Sequence, residues 1–471
     1  MRPRDPLGAT LHAPLPLRAS AWNNPHAARH SPKGAAPDQA PHGAATHSLT
    51  IESLGADADG IAAWPDGTPA YIPYALPGER VLAEPGERRG QGRAGNLVAV
   101  ETPSPHRVAP ACRHFGTCGG CALQHLAPPA TAAWKSSLLA TALHRAGFAD
   151  PPLAPLVTTP PASRRRADLA LRRAGGALLL GLHPTRSHAV IDLEECPVLH
   201  PALADLIAPL RAALTPLSLP KSAGDAVLNL LDTGPDLLLR GDGTPTAADR
   251  AALAAFARDH RIPRIAFAAR PGAAPETLVQ LGPVQISLSG IQVTPPPGAF
   301  LQASREGEGA IIAAIRAGLP QKRPARARVV ELYAGIGTLT FALAPEIRVE
   351  AYEGDPAALA ALRQAANRAG LAGRVTAHHR DLARQPLAAT ELASAAAVLL
   401  DPPYAGIAPS QLAALAAARP ARIIHVGCNP AALARDLRPL AAAGYRVLAA
   451  TPIDQFLFSP RLESVTILAR G

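Results

Sequence analysis

The chain has 471 residues, 48% hydrophobic and only 4% aromatic, with a formal net charge of +10. That length supports two to four domains with a large core. The positive balance, in a chain with no apolar run long enough to span a bilayer and no apolar N-terminal signal core, points to a polyanionic partner, nucleic acid before membrane. A cytoplasmic monomer with no membrane partner is expected. The five cysteines are an odd number, which argues against a disulfide framework.

Residues 1–46 are rich in Pro, Ala and His without hydrophobic period and read as a disordered tail. Over 47–103 short alternating runs (Leu49–Ile51, Gly60–Trp64, Ala70–Pro73, Pro77–Val81, Asn96–Val100) are separated by Asp-Gly and Pro-Gly turns, the pattern of a small β-barrel. Arg88–Arg93 would be a basic loop on it, either gripping RNA or simply solvated.

The segment 104–292 opens with Cys112, Cys118 and Cys121, and Cys196 follows in DLEECPVLH. Four thiolates suit zinc or an iron–sulfur cluster. The spacing is not that of a zinc ribbon, and Gly116, Gly119 and Gly120 leave room for a cluster, so an iron–sulfur cluster is favoured over zinc. Strand-like runs at 167–172, 178–182, 226–230 and 236–240 among helical stretches indicate an α+β domain. The triplet Arg164-Arg165-Arg166 is either a phosphate grip or a solvated strand edge.

Over 293–471, strand-like runs recur at 328–333, 348–353, 374–378, 397–401, 422–427, 446–450 and 464–468. Helical segments separate the first six; the last two are joined too closely for a crossover helix and should pair antiparallel. This predicts a doubly wound α/β Rossmann-like sheet with one antiparallel strand. The first strand ends in Tyr333-Ala334-Gly335-Ile336-Gly337, where glycines let backbone approach a nucleotide-like ligand. Glu353 ends the second strand and can accept from ribose hydroxyls; Asp381 ends the third and can meet an adenine amino group. A helix cap is the competing reading for Asp355 and Asp381. Asp401-Pro402-Pro403-Tyr404 ends the fourth strand, a motif shared with amino-methyltransferases. Cys428 ends the fifth, before a helix N-terminus, which lowers a thiol's pKa; the competing reading is a buried structural cysteine. A thiol has no task in methylating an amine, but is needed where the target carbon is not nucleophilic, as at C5 of uracil.

The stretch GADADGIAAWPDGTPAYIPYALPGERV resembles a TRAM domain, an RNA-binding OB-like barrel. FLQAS, LYAGIGTLTFALA, DPPYAGI, HVGCNPAALARDL and RLESVTIL resemble the RNA 5-methyluridine methyltransferases, and the likeness covers nearly everything after the tail. It is closest to cluster-containing members acting on 23S ribosomal RNA. The resemblance implies S-adenosyl-L-methionine as cofactor, Cys428 as nucleophile on C6 of uridine, and Glu463 as the base that removes the C5 proton. It further implies Gln302, Tyr333, Gly335, Gly337, Glu353, Asp381 and Asp401 around cofactor and uracil, and Arg166 near the target base. The four remaining cysteines would ligate the cluster. The sequence departs from the family at Tyr404 (usually Arg), Ser304 (Asn), Ala334 (Cys) and Arg461 (often His). Competing functions are transfer-RNA uridine methylation, a catalytically silent iron–sulfur RNA-binding protein and an amino-methyltransferase.

Overall fold

The computed structural model describes residues 45–470 apart from 271, 323 and 325, so the expected tail lies, up to residue 44, outside the described residues. The chain divides into two compact units, residues up to 55 with 59–105, and 106–471 with 56–58.

The first unit is one six-stranded sheet around Ile51, Trp64, Ile72 and Val81. Its strands are His47–Thr50, Ser53–Leu54, Gly60–Ala63, Pro69–Ile72, Arg80–Arg89 and Gly92–Thr102. All pair antiparallel except Pro69–Ile72 with Gly92–Thr102. Most of the expected basic loop is strand: Arg88 pairs with Arg93 and Arg89 with Gly92, leaving only Gly90 and Gln91 at the turn. Gly90 supplies the positive φ (57°) that this tight turn needs.

The second unit holds two large sheets. A seven-stranded sheet runs from Ile191–Asp192 through Ala177–Leu182, Arg166–Ala174, Ala223–Leu231, Gly234–Gly241 and Arg264–Ala268 to Glu276–Gln280. It is antiparallel save for Gly234–Gly241 beside Arg264–Ala268. The other large sheet contains β1 (Arg328–Leu332), β2 (Arg348–Glu353), β3 (Val375–His379), β4 (Ala397–Leu400), β5 (Arg422–Gly427), β6 (Tyr445–Asp454) and β7 (Glu463–Arg470). Their order is β3-β2-β1-β4-β5-β7-β6, and only β7 runs against its neighbours. The doubly wound sheet and its antiparallel last strand are therefore both present.

Successive residues of β1 enter opposite cores, as a pleated strand buried on both faces requires. Val329 packs with α1 (Arg305–Gly318), α2 (Thr338–Leu343) and α3 (Pro356–Arg368). Val330 and Leu332 pack with α4 (Pro409–Ala418) and α5 (Pro430–Ala442). The helices start where the sequence caps them: Ser304, Asp355 and Asn429 each accept first-turn N–H groups, and Pro356 and Pro430 fill the first helical positions. Ser304 stands where the family usually has Asn, and both are strong caps.

Helix Pro128–Ala146, from the stretch assigned to a central domain, packs on this second core through Leu139 and Leu143. The chain then adds Val157–Thr158 as an eighth strand parallel to β6. Lys135 of that helix is fully buried and donates to Asp454 Oδ1 (2.5 Å) and to the Phe456 carbonyl (3.0 Å). Among the described residues no helix is long and apolar enough to cross a membrane.

Candidate active site

The carboxyl ends of β1, β4 and β5 and the start of antiparallel β7 share one edge of the sheet. Gly427 pairs with Ser464, whose hydroxyl donates to the Gly427 carbonyl (3.1 Å), so Cys428 and Glu463 lie side by side across the ladder. Asp401 follows β4, its N–H donating to the Leu332 carbonyl at 3.3 Å. Gln302 enters just ahead of the Ser304 cap of α1, and Gln455 follows β6.

These side chains form one buried chain of hydrogen bonds. Gln302 Nε2 donates to Asp401 Oδ2 (3.4 Å), and Gln455 Nε2 donates both to Gln302 Oε1 (2.9 Å) and to Glu463 Oε2 (2.8 Å). The Ala303 N–H donates to Gln455 Oε1 (3.2 Å) and fixes the amide from behind. Glu463 is 4% exposed, and its other oxygen, Oε1, is buried without a partner. An acceptor left open in a dry pocket costs free energy unless a ligand proton meets it.

Electrostatics follow from that burial. Burial pushes Asp401 up to about 7; burial, with Asp401 beside it, pushes Glu463 up to about 8, against the Gln455 hydrogen bond that lowers it. Glu331, which accepts from Thr340 Oγ1 (2.6 Å), is likewise lifted by burial to about 8. The helix N-terminus beyond Cys428 was expected to lower the thiol's pKa. Instead burial, then Glu463 and Asp401, drive it up to about 12, with Arg461 the cation that opposes them. The helix-end effect is a fraction of a charge, too small to offset two carboxyl groups and desolvation.

The neighbouring edge, over β1 to β3, is built differently. Gly335 N–H donates to Glu353 Oε2 and Asp355 N–H to Glu353 Oε1, both at 2.7 Å, which holds the half-buried carboxylate over the glycine turn. Tyr333 (φ 68°), Gly335 (57°) and Gly337 (97°) all take left-handed backbone, and a Cβ at Gly337 would meet Phe341 at 2.6 Å. Nothing lies within 4 Å of a Cβ built at Gly335, so the turn is open on that side. Asp381 is exposed and accepts from the Ala383 and Arg384 N–H groups of its own turn, while Asp355 caps α3.

Arg166 donates to the Gly298 (3.2 Å) and Ala299 (2.8 Å) carbonyls and lies over the ring of Phe300 at 6.0 Å. Arg165 is buried, donating to the Gln302 carbonyl (3.0 Å) and pairing with Glu308. Arg165 and Arg166 are thus no solvated edge; they brace the loop that delivers Gln302, while Arg164 donates to the Arg166 carbonyl (2.9 Å). Apart from this pocket, Cys112, Cys118, Cys121 and Cys196 line one cavity of about 330 Å³, with Arg164 and Arg461 also in its wall. Burial raises the thiol pKa of Cys112, Cys118 and Cys121, reaching about 12 at Cys121, and the charges of neighbouring cysteines add to it. Among the described residues, no group of three or more His, Cys, Asp or Glu is placed to hold a metal ion.

The family profile described as tRNA (Uracil-5-)-methyltransferase matches residues 319–471. An uncharacterized RNA methyltransferase of Caulobacter vibrioides is 39% identical over 90% of this chain and 99% of its own length. The 23S rRNA (uracil(1939)-C(5))-methyltransferase RlmD of Chromohalobacter salexigens is 34% identical over 91% of this chain and 90% of its own. The chain belongs to the RNA uracil-C5 methyltransferase family. The fold agrees: the Pyrococcus abyssi tRNA (uracil-54, C5)-methyltransferase, solved with S-adenosyl-L-homocysteine, superposes with a TM-score of 0.67 at 20% identity, covering 90% of this chain and all of that one.

This RNA methyltransferase carries two site features that pattern reading misses. Gln455, in the stretch Ile453-Asp454-Gln455-Phe456, joins Gln302 to Glu463, yet a lone polar residue after a strand gives no periodic or spacing signal. Phe300 is 68% exposed two residues before Gln302; in so aromatic-poor a chain, a phenylalanine beside a site residue is the signal that could have found it.

Proposed function

We propose that this methyltransferase transfers a methyl group to C5 of a uridine in RNA through a covalent bond between Cys428 and C6. The observation that carries the reading is Cys428 lying beside a buried carboxyl group, Glu463, whose Oε1 has no partner. When bound, S-adenosyl-L-methionine supplies an electrophilic methyl group; Glu353 and the Tyr333–Gly337 turn would hold its nucleoside part, with Asp381 at the adenine side. Cys428 passes its proton to the neighbouring Asp401 carboxylate and its sulfur bonds to C6, the proton returning when the sulfur later leaves. C5 thereby becomes an enolate-type carbon nucleophile and forms the new carbon–carbon bond as the methyl group's bond to the cofactor sulfur breaks, its electron pair leaving with S-adenosyl-L-homocysteine. Glu463 takes the C5 proton on Oε1, and the sulfur–C6 bond breaks to restore the ring double bond. Gln302 and Asp401 would meet the uracil edge. The uridine must be unpaired or flipped out, and exposed Phe300 and braced Arg166 offer a face on which a base can stack.

The substrate we favour is 23S ribosomal RNA, supported by the 34% identity to an enzyme of that name. The first unit, as a TRAM-type module within residues 47–103, and the segment 104–292 would hold surrounding RNA, with 293–471 carrying the chemistry. A 4Fe–4S cluster is the fitting group for the four-cysteine cavity. One ion needs its ligands close together, whereas a cluster takes four thiolates around a larger body, and these thiols line one cavity without gathering into a single-ion site among the described residues. Cys112, Cys118, Cys121 and Cys196 would hold it; no catalytic step passes through it.

RNA carrying 5-fluorouridine tests the mechanism, because fluorine cannot leave C5 as a proton does. The wild-type protein with cofactor should give a denaturation-resistant adduct, absent in Cys428→Ala. Intact cofactor binding with neither adduct nor methyl transfer would leave a silent RNA-binding protein. Mapping 5-methyluridine in ribosomal and transfer RNA of a deletion strain identifies the substrate.

A further inference from the structure

Tyr404 and Arg461 touch each other near Cys428, on whose thiol the Arg461 charge acts. Tyr404 lies in the loop after β4 and Arg461 in the loop before β7, and Arg461 Cζ sits 4.8 Å from the centre of the tyrosine ring. Tyr404 is 52% exposed even with the guanidinium over its ring. Its backbone, in contrast, is pinned. Asn429, next to Cys428, donates through Nδ2 to the Tyr404 carbonyl (3.1 Å), Arg435 donates to the Ala405 carbonyl (2.6 Å), and the Ile407 N–H donates to Asp436 Oδ2 (2.8 Å). Three bonds to α5 thus hold an exposed aromatic ring in a fixed place beside the nucleophile. A large apolar ring kept in water by a rigid loop has no folding role to explain it.

We propose that the Tyr404–Arg461 pair is a stacking platform for the RNA base adjoining the target uridine. The inference rests on the uridine-methylation reading and extends it to substrate recognition. Drawing a uridine out of its stack deprives the neighbouring base of a partner, at a cost of a few kcal/mol. A preordered aromatic face returns part of that cost, since base–aromatic stacking tolerates any base and is worth about 1–3 kcal/mol per base. The guanidinium strengthens the face by cation–π contact and sets a positive charge where the backbone phosphate of that nucleotide must pass. The occupant is therefore a nucleotide: an apolar protein segment would use the ring but leave the arginine and the chain's excess positive charge unanswered.

The test couples protein and RNA substitutions. A short oligouridylate with 5-fluorouridine at its centre is made with one abasic nucleotide at each position in turn, and binding is followed by fluorescence anisotropy. Tyr404→Ala and Tyr404→Leu should bind the intact oligomer about tenfold more weakly, and Tyr404→Phe as tightly as wild type. Binding of S-adenosyl-L-homocysteine by each variant, measured by calorimetry, verifies the fold. An abasic site next to the 5-fluorouridine should weaken wild type by a similar factor and weaken Tyr404→Ala no further. Losses that simply add at every position overturn the platform. If wild type meanwhile forms its covalent adduct with fluorouridine-substituted cellular RNA, the methylation reading stands without the platform; if no adduct forms there, both fall.

Discussion

The two halves of one sheet edge handle acidic side chains in opposite ways. Over β1 to β3, Glu353, Asp355 and Asp381 reach the surface and are satisfied by backbone N–H groups of their own or adjoining turns. Over β4, β5 and β7, Glu463 is buried and Asp401 half-buried, and amides brought from residues 302 and 455 meet one oxygen of each while Glu463 Oε1 stays open. The first arrangement leaves acceptors at the surface, where the hydroxyl and amino groups of the proposed cofactor would meet them. The second keeps carboxyl groups close to neutral, so that a proton can be taken up and released near physiological pH. Poor solvation supplies the shift at both; at Glu463 the neighbouring Asp401 adds to it and the Gln455 amide limits it.

Removing the proposed base, Glu463, should disturb this contrast most. Glu463→Gln is expected to lower methyl transfer by about 10²–10⁴-fold while the Cys428 adduct accumulates, visible as a slow-migrating RNA–protein band in denaturing gels. Free turnover without adduct would assign proton removal elsewhere. On the other half, Glu353→Gln should weaken cofactor binding by about 10- to 100-fold, the worth of charge-assisted hydrogen bonds, with RNA affinity retained; calorimetry with S-adenosyl-L-homocysteine decides. Gln455→Met should cost about 1–3 kcal/mol of stability in denaturant titrations by leaving buried acceptors unmet. Because its amide holds Glu463 down, the substitution should also move the pH–rate curve to higher pH. The mildest change, Asp381→Asn, keeps an acceptor for its turn and should alter cofactor affinity by about threefold or less, within the reach of one exposed hydrogen bond.

The wild-type pH dependence separates the halves without mutation. Single-turnover methyl transfer should climb as pH passes about 8, where Glu463 becomes a carboxylate able to accept a proton. Stability runs the other way. Burial raises Asp401 and Glu463 above their unfolded values, so their contribution is complete below the ordinary carboxylate range and is lost as pH rises through about 7 and about 8. The thermal midpoint of cofactor-free protein should therefore fall across that window, and a midpoint that rises instead would contradict the buried-acid description.

Sequence alone determined the α/β sheet, its antiparallel last strand and the strand ends bearing Glu353, Asp401, Cys428 and Glu463. These follow from local rules: apolar runs of strand length, glycines or prolines at their ends, capping residues at the helix starts. The loop at Arg88–Arg93 misled, and the arginine triplet stayed open between two readings, because a charge run looks the same whether it is solvated, paired in a hairpin or folded inward onto carbonyls. Tertiary structure alone decided that helix Pro128–Ala146 belongs to the core of the last sheet, with Lys135 buried against Asp454. It alone joined Gln302 to Glu463 through Gln455, set the raised pKa of Cys428, and brought Arg461 onto Tyr404. Each of these depends on groups distant in sequence meeting in a space closed to water. Proximity and desolvation, which fix such energies, leave no periodic trace in the order of residues.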